Sequence, residues 1–323
     1  MQISRSNFSV SHLTIAVAIL FGALFVSLGL VFADTSSTSV TVGNSSPTVT
    51  SLSFNGGNNV TLVENSFVHA TATMTVSDAN GCSTVSSVTA QFAFASTTGE
   101  ATGATCGYDA NICYRATSCT ATTTGNQCTG GADTSAEYDC GFQVWYPARP
   151  TDGSSPGLTA AMWYVSATST DGSAATGNAT NTSQTIEVVT LNALNITGSI
   201  PFGTVAANTN TGATNQAITH TNTGNTALDN QISGDVMCTD YATCTGGVLQ
   251  PGQQKFDLND VTYASLTNTL AATSSPVSIE LVLATSTATT SAITDLSYWG
   301  IAIPNGQTTG AYTGQNTFTA VAD

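Results

Sequence analysis

Oxygen ligands come first among the residues equipped for chemistry. Asp78 and Asn80 fall in the turn-forming run Asp78-Ala-Asn-Gly81, and Asp171 heads a second turn at Asp171-Gly172. Carboxylate and amide oxygens are the ligands Ca²⁺ prefers. The same two runs are also ordinary turn formers. Nucleophilic catalysis is poorly supplied by comparison. A Ser/His or Cys/His site needs a histidine within hydrogen-bond reach of its nucleophile. The chain has 3 His, and His12 precedes the long apolar run at the N-terminus. His69 belongs to the Thr-rich side of an alternating segment, so it reads as solvent-facing. His220 shares parity with Ile218 and reads as packed rather than catalytic. Glu137 and Asp139 share one face of an extended segment. Nothing brings a second acid toward them, as a glycosidase would require.

Eight cysteines follow: Cys82, Cys106, Cys113, Cys119, Cys128, Cys140, Cys238 and Cys244. An even count in an exported chain reads as four disulfides. The metal reading is weaker, because close Cys-x₂₋₄-Cys pairs with His partners are missing. Cys238 and Cys244 enclose only TDYAT, which makes a local staple. The other six allow fifteen connectivities. Proximity favours Cys106–Cys113, Cys119–Cys128 and Cys82–Cys140.

Export itself is read from the N-terminus. Arg5 precedes an apolar run over residues 13–33, and Val31 and Ala33 occupy small-residue positions before Asp34. This is the layout of a secretory signal peptide cut between Ala33 and Asp34. The run is also long enough for a membrane anchor, so contact with a membrane is expected only through residues 13–33, if uncut. Four Lys and Arg stand against 19 Asp and Glu, for a net charge of −15. Phosphate binding needs clustered basic groups, so nucleic acid is excluded as a partner. An anionic membrane surface is disfavoured for the same reason.

The elements that must position these residues are strands. In residues 67–77, Val68, Ala70, Ala72, Met74 and Val76 share one face, and Phe67, His69, Thr71, Thr73 and Thr75 the other. That period of two belongs to a half-buried strand. Further strand-like runs are 47–54, 60–64, 84–94, 142–146, 161–169 and 184–189. Between about residues 99 and 140 the alternation fails, and the stretch reads as a Cys-rich, disulfide-pinned insertion or a strand-poor flank at the sandwich edge. After residue 190 come 191–196, 199–205, 214–221, 226–232, 277–283, 296–303 and 316–321. Trp145, Trp163 and Trp299 each fall in a strand and are expected in cores. No stretch beyond the leader has helical period. The expected fold class is all-β: two tandem immunoglobulin-like β-sandwiches after an N-terminal signal or anchor helix. The division is leader 1–33, Ser/Thr linker 34–46, first sandwich 47–190 and second sandwich 191–323. In such a sandwich the loop holding Asp78 and Asn80 lies at the same end as the loop holding Asp171. Those three residues are therefore the candidate Ca²⁺ ligands. Calcium is the one cofactor the reading includes.

Three sets of motifs carry a resemblance. Phe202-Gly-Thr-Val205 followed by Thr221-Asn-Thr-Gly-Asn225 resembles the opening of immunoglobulin-like modules of the ASPM/SPD-2/Hydin type. Tyr298-Trp-Gly-Ile301, Gly310-Ala-Tyr-Thr-Gly314 and Thr317-Phe-Thr-Ala320 are similar to the terminal hairpin of exported bacterial and archaeal surface modules. The first half, through Val76-Ser-Asp-Ala-Asn-Gly-Cys82, Asn111-Ile-Cys-Tyr114 and Cys128-Thr-Gly-Gly-Ala-Asp133, resembles secreted proteins of uncultivated bacteria. The resemblance implies a fold and a place outside the cell, and no catalytic residue. The functional expectation is a non-enzymatic extracellular or cell-surface structural or adhesive protein of a prokaryote. It would self-associate or meet other envelope proteins and glycans. A secreted carbohydrate- or ligand-binding module is the alternative. A secreted hydrolase is a third reading, and it lacks a visible site.

Overall fold

A computed structural model describes residues 35–95, 106–130, 132–153, 161–290 and 292–323, with only the backbone described at 182–185. The leader, the Ala33–Asp34 cleavage point and residues 96–105 of the Cys-rich stretch lie outside the described residues. The chain is all-β: among the described residues, regular structure consists of strands and short 3-10 turns.

Eight strands build the first half: β1 (Thr48–Phe54), β2 (Phe67–Ser77), β3 (Val85–Ala95), β4 (Cys113–Ala116), β5 (Thr120–Ala121), β6 (Ser135–Trp145), β7 (Met162–Asp171) and β8 (Thr176–Ile186). They form two antiparallel sheets, ordered β1-β2-β6-β5 and β4-β3-β7-β8. The alternation read in β2 is real: Ala70, Ala72, Met74 and Val76 are buried, and His69 and Thr71 are exposed. One core draws on both sheets, with Ala72, Met74 and Phe142 from the first and Val88, Phe92, Trp163 and Val165 from the second. The Phe92 ring stacks on Phe54 at 4.2 Å and on Trp163 at 4.5 Å. Trp163 turns its indole N–H to the Arg149 carbonyl at 2.9 Å, so the one polar group of this large side chain is satisfied.

The described part of the stretch 99–140 corrects the expected failure of alternation, because residues 106–130 and 132–140 hold β4, β5 and the start of β6. β4 joins the edge of β3, and β6 begins at Ser135 and pairs with β2 over its whole length, from Ser77↔Ser135 to Phe67↔Trp145. Ala136, Cys140, Phe142 and Val144 are buried, with Glu137, Asp139, Gly141 and Gln143 on the opposite parity. The period of two was present. It was obscured because the inward positions include a small Ala and a Cys, and the outward ones include a Gly.

The second half holds β9 (Leu194–Thr197), β10 (Thr209–Asn210), β11 (Gln216–Asn222), β12 (Leu228–Gly234), β13 (Met237–Cys238), β14 (Val248–Leu249), β15 (Gln254–Asp257), β16 (Asn268–Thr269), β17 (Val277–Leu283), β18 (Thr294–Ile303) and β19 (Asn316–Ala322). The sheets run β16-β15-β18-β11-β9, with β10 also on β18, then β17-β12-β19 and the small pair β13-β14. A second core gathers Ile218, Leu228, Ile232, Phe256, Ile279, Leu281 and Trp299. Trp299 stacks on Phe256 at 4.7 Å and meets the Phe318 ring edge-on at 5.7 Å.

Two expected strands are absent. Residues 60–64 contribute one isolated bridge, Val60↔Val188, with Val60 and Leu62 buried. Residues 199–205 form no strand: Pro201 lacks a donor, and Gly203 sits at φ +70°, outside the extended region.

Candidate functional site

The loops that close β2 and β7 bring the three expected ligands into one region. Asp78 ends the β2 ladder, and its Oδ1 accepts the Asn80 N–H at 2.8 Å, folding the carboxylate back over its own turn. The loop then runs through Gly81 and Thr84 into β3, where Val85 pairs with Asp171 and the Thr84 carbonyl accepts the Gly172 N–H at 2.9 Å. Asp171 Oδ1 accepts the Ser173 and Ala175 N–H groups, each at 2.8 Å. A strap of two consecutive residues ties both loops. Asn44 Nδ2 donates to Asp171 Oδ2 at 2.7 Å, and Ser45 N–H donates to Asn80 Oδ1 at 2.6 Å.

Both carboxylates are buried, Asp78 at 1% exposure and Asp171 at 2%. The Asn44 amide, with the Ala175 and Ser173 N–H groups, holds the Asp171 carboxyl below the usual carboxylate range, against the opposing effect of burial. Asp78 Oδ2 is buried and has no donor. Among the described residues no group of three or more His, Cys, Asp or Glu converges. A metal here would therefore rest on two carboxylates and amide oxygens. The strap is what sequence reading missed, because Asn44 lies in a featureless Ser/Thr run.

The cysteines form four disulfides: Cys82–Cys128, Cys106–Cys113, Cys119–Cys140 and Cys238–Cys244. Such a set marks a chain that folds in an oxidising environment, as extracellular proteins do. The expected pairs Cys119–Cys128 and Cys82–Cys140 are wrong, because their partners are exchanged. The cause is β5. It pairs with β6 at Thr120↔Asp139, which sets Cys119 beside Cys140 with Cα atoms 4.4 Å apart. Cys82 in turn donates its N–H to the Asp133 carbonyl at 2.8 Å, which anchors it against the loop that contains Cys128.

The histidines have unlike surroundings. His69 is exposed beside Phe67, ring centroids 5.1 Å apart, and Phe67 packs on Trp145 at 4.9 Å. His69, Tyr108, Arg115, Gln143 and Trp145 line an open cleft of about 650 Å³ on the outward face of β2 and β6. Tyr108 is 60% exposed there. Trp145 is thus half-buried, packed against the margin of the first core and lining the cleft with the rest of its surface. His220 is fully buried, with Nε2 2.7 Å from Ser297 Oγ and Nδ1 2.9 Å from Asn230 Nδ2. Ser297 also accepts the Trp299 indole N–H at 2.8 Å. This serine and histidine are sealed in the second core, where no substrate reaches them.

The Asn222-Thr-Gly-Asn225 run has a mechanical role. Asn222 Nδ2 donates to the Thr226, Leu283 and Ala284 carbonyls. Asn225 Nδ2 donates to the Ala148 and Val189 carbonyls at 2.9 and 3.1 Å, and its Oδ1 accepts the Leu191 N–H at 2.7 Å. The motif therefore fastens the start of the second half to the end of the first. Gly224 is required because a Cβ would lie 2.0 Å from the Leu191 carbonyl oxygen. Compared with known proteins, the chain matches no protein-family model, and no curated protein is detectably similar to it.

Proposed function

We propose that this chain is a non-enzymatic extracellular or cell-surface protein of structural or adhesive role, built as two tandem immunoglobulin-like sandwiches and assembling through a sheet edge. The observation that carries this reading is the unequal treatment of the two edges of the β17-β12-β19 sheet. On β17, the Leu281 N–H turns inward to Asp229 of the paired strand β12 at 2.9 Å, and the next N–H, of Val282, on the outer edge, is taken by the Asp295 carboxylate at 3.0 Å. An acidic side chain thus guards that edge. β19 (NTFTAVA) carries neither charge nor proline, and it pairs with β12 without a break from Gly234↔Asn316 to Leu228↔Ala322. An uncharged edge strand without proline or bulge is a template for a further strand. With four Lys and Arg in the whole chain, the usual basic edge guards are scarce. The occupant this supports is a strand of a second copy, added by main-chain hydrogen bonding. The test is size-exclusion chromatography with electron microscopy of the wild type and of Thr317→Lys/Thr319→Lys, two exposed positions of β19. Assemblies that the double variant abolishes, with its circular dichroism unchanged, support the reading. A wild type that stays monomeric at high concentration refutes it.

The aromatic cleft favours a second reading, a glycan-binding surface. Tyr108 and the half-buried Trp145 line it with aromatic surface, and Arg115, Gln143 and His69 add hydrogen-bonding groups. Glycan-array signal that disappears in Trp145→Ala would promote this reading over assembly.

A further inference from the structure

We propose that Asp78, Asp171 and the amide oxygens of Asn80 and Asn44 form a calcium site that locks the N-terminal strap onto the first half of the fold. The driving observation is the Asp78 carboxylate. Its residue is 1% exposed, one oxygen is bound by the Asn80 N–H, and Oδ2 is buried with no donor at all. Burying an ionised oxygen without a partner is strongly unfavourable, and the remedies are a donor, a counter-charge or a metal. Two other carboxylate oxygens are buried without a donor, Asp139 Oδ1 and Glu187 Oε2. Their residues are partly exposed, so water reaches the rest of each group. Asp78 is the fully buried case.

It is also the case with a second buried carboxylate in the neighbouring loop, to which the Asn44-Ser45 strap ties its own. Asp171 is 2% exposed, and every hydrogen-bond donor it meets is neutral: Asn44, Ser173 and Ala175. Two anions in one dry loop end, with only neutral donors between them, repel each other. A hard divalent cation reverses the sign of that interaction. It would take Asp78 Oδ2 and Asp171 Oδ2 directly. Asn80 already points its amide oxygen to the strap, 2.6 Å from the Ser45 N–H. Turning the Asn44 amide end for end replaces its N–H on Asp171 with an oxygen ligand. An all-oxygen set with few charges is the type that extracellular calcium modules use, with dissociation constants of about 10⁻⁴–10⁻³ M.

The experiment is calcium titration of the full chain, stripped with a chelator, by isothermal calorimetry and by thermal melting. The wild type should bind one Ca²⁺ and melt about 3–6 °C higher once calcium exceeds its dissociation constant about tenfold. Asp78→Asn keeps the acceptor for the Asn80 N–H, so the turn survives, yet the heat and the shift should vanish. Asp171→Asn should weaken binding at least about tenfold, one charged ligand being worth more than about 1.4 kcal/mol at that ratio. Glu280→Gln, exposed on β17, should bind as the wild type does. A wild type with no heat and equal melting in calcium and chelator overturns the proposal. So does an equal shift with magnesium, which would be general screening of the acidic chain, or calcium binding that persists unchanged in Asp78→Asn.

Discussion

Acid should loosen the second half of the fold through one side chain. His220 lies fully buried on β11, and the Asn230 amide N–H points at its Nδ1. The single ring proton therefore sits on Nε2 and is donated to Ser297 Oγ. An imidazolium would carry a second proton at Nδ1, donor against donor, in a site walled by Phe318, whose ring centroid is 5.6 Å away. Burial pushes the His220 pKa down from 6.5 to about 4, with the Asp295 carboxylate acting in the opposite direction. In the unfolded chain the imidazole titrates at about 6.5. Between those two values the unfolded state binds more protons than the native state, so stability falls as the pH falls. The contribution is complete above about pH 6.5 and is lost progressively toward pH 4. Through the linkage relation this amounts to about 2 kcal/mol between about pH 7 and about pH 5, and to about 3 kcal/mol by about pH 4. The shifted carboxylates Asp133, Asp171, Asp240 and Asp257 are all lowered, so their own acid loss sets in only as the pH nears the unfolded carboxylate value of about 4, and the span from about pH 7 to about pH 5 isolates His220. Urea unfolding followed by tryptophan fluorescence, at constant ionic strength, measures the effect. His220→Gln starts out less stable, since Asn230 and Ser297 lose a partner, but should lack this share of the pH slope. A wild-type midpoint that stays fixed from neutral pH to pH 5 refutes the reasoning, as does a variant that keeps the full slope.

Peptide mapping without reduction should recover Cys82 with Cys128 and Cys119 with Cys140, and recovery of Cys119–Cys128 would contradict the β5–β6 register. Replacing both Cys119 and Cys140 with Ala should lower stability by about 3 kcal/mol, the chain-entropy value for a loop of this length, their sequence separation being 21. Gly224→Ala should destabilise by about 1–3 kcal/mol or more through overpacking against Leu191. Gly130→Ala, where a Cβ meets nothing within 4 Å, should leave the melting temperature unchanged; equal behaviour of the two variants would count against the fastening role of Asn222–Asn225.

What was legible in the sequence depended on parity and on short separation along the chain, and what was missed depended on register. A period of two tells which side of a strand a residue occupies, so Met74 inside, His69 outside and a packed His220 could all be read directly. It says nothing about which strand lies alongside. The partners of His220 come from Asn230 on β12 and Ser297 on β18, and only the fold brings those strands against β11. Two of the four expected disulfides failed for the same reason, while the short-range pairs Cys106–Cys113 and Cys238–Cys244 form as proximity suggested. Proximity along the chain favoured Cys128 for Cys119, while the ladder β5 makes with β6 delivers Cys140. β6 itself was half hidden because Ala136 and Cys140 are weak markers of an inward face.

The calcium candidates show both sides of this limit. That the two turns meet followed from expecting a sandwich, in which the loop after the second strand and the loop before the last strand share an end. Neither the burial of Asp78 nor the strap could be read, because an Asp-x-Asn-Gly turn is ordinarily a solvated surface feature. Burial at this turn is imposed from outside the loop, by Asn44 and Ser45 crossing it and by the Asp78 N–H being drawn to the Thr134 carbonyl at 2.7 Å. A turn whose own hydrogen bonds are complete needs no such cover. The unsatisfied Asp78 oxygen is therefore the one feature of this loop end that local turn chemistry leaves unexplained. It is also the feature that a bound cation would resolve.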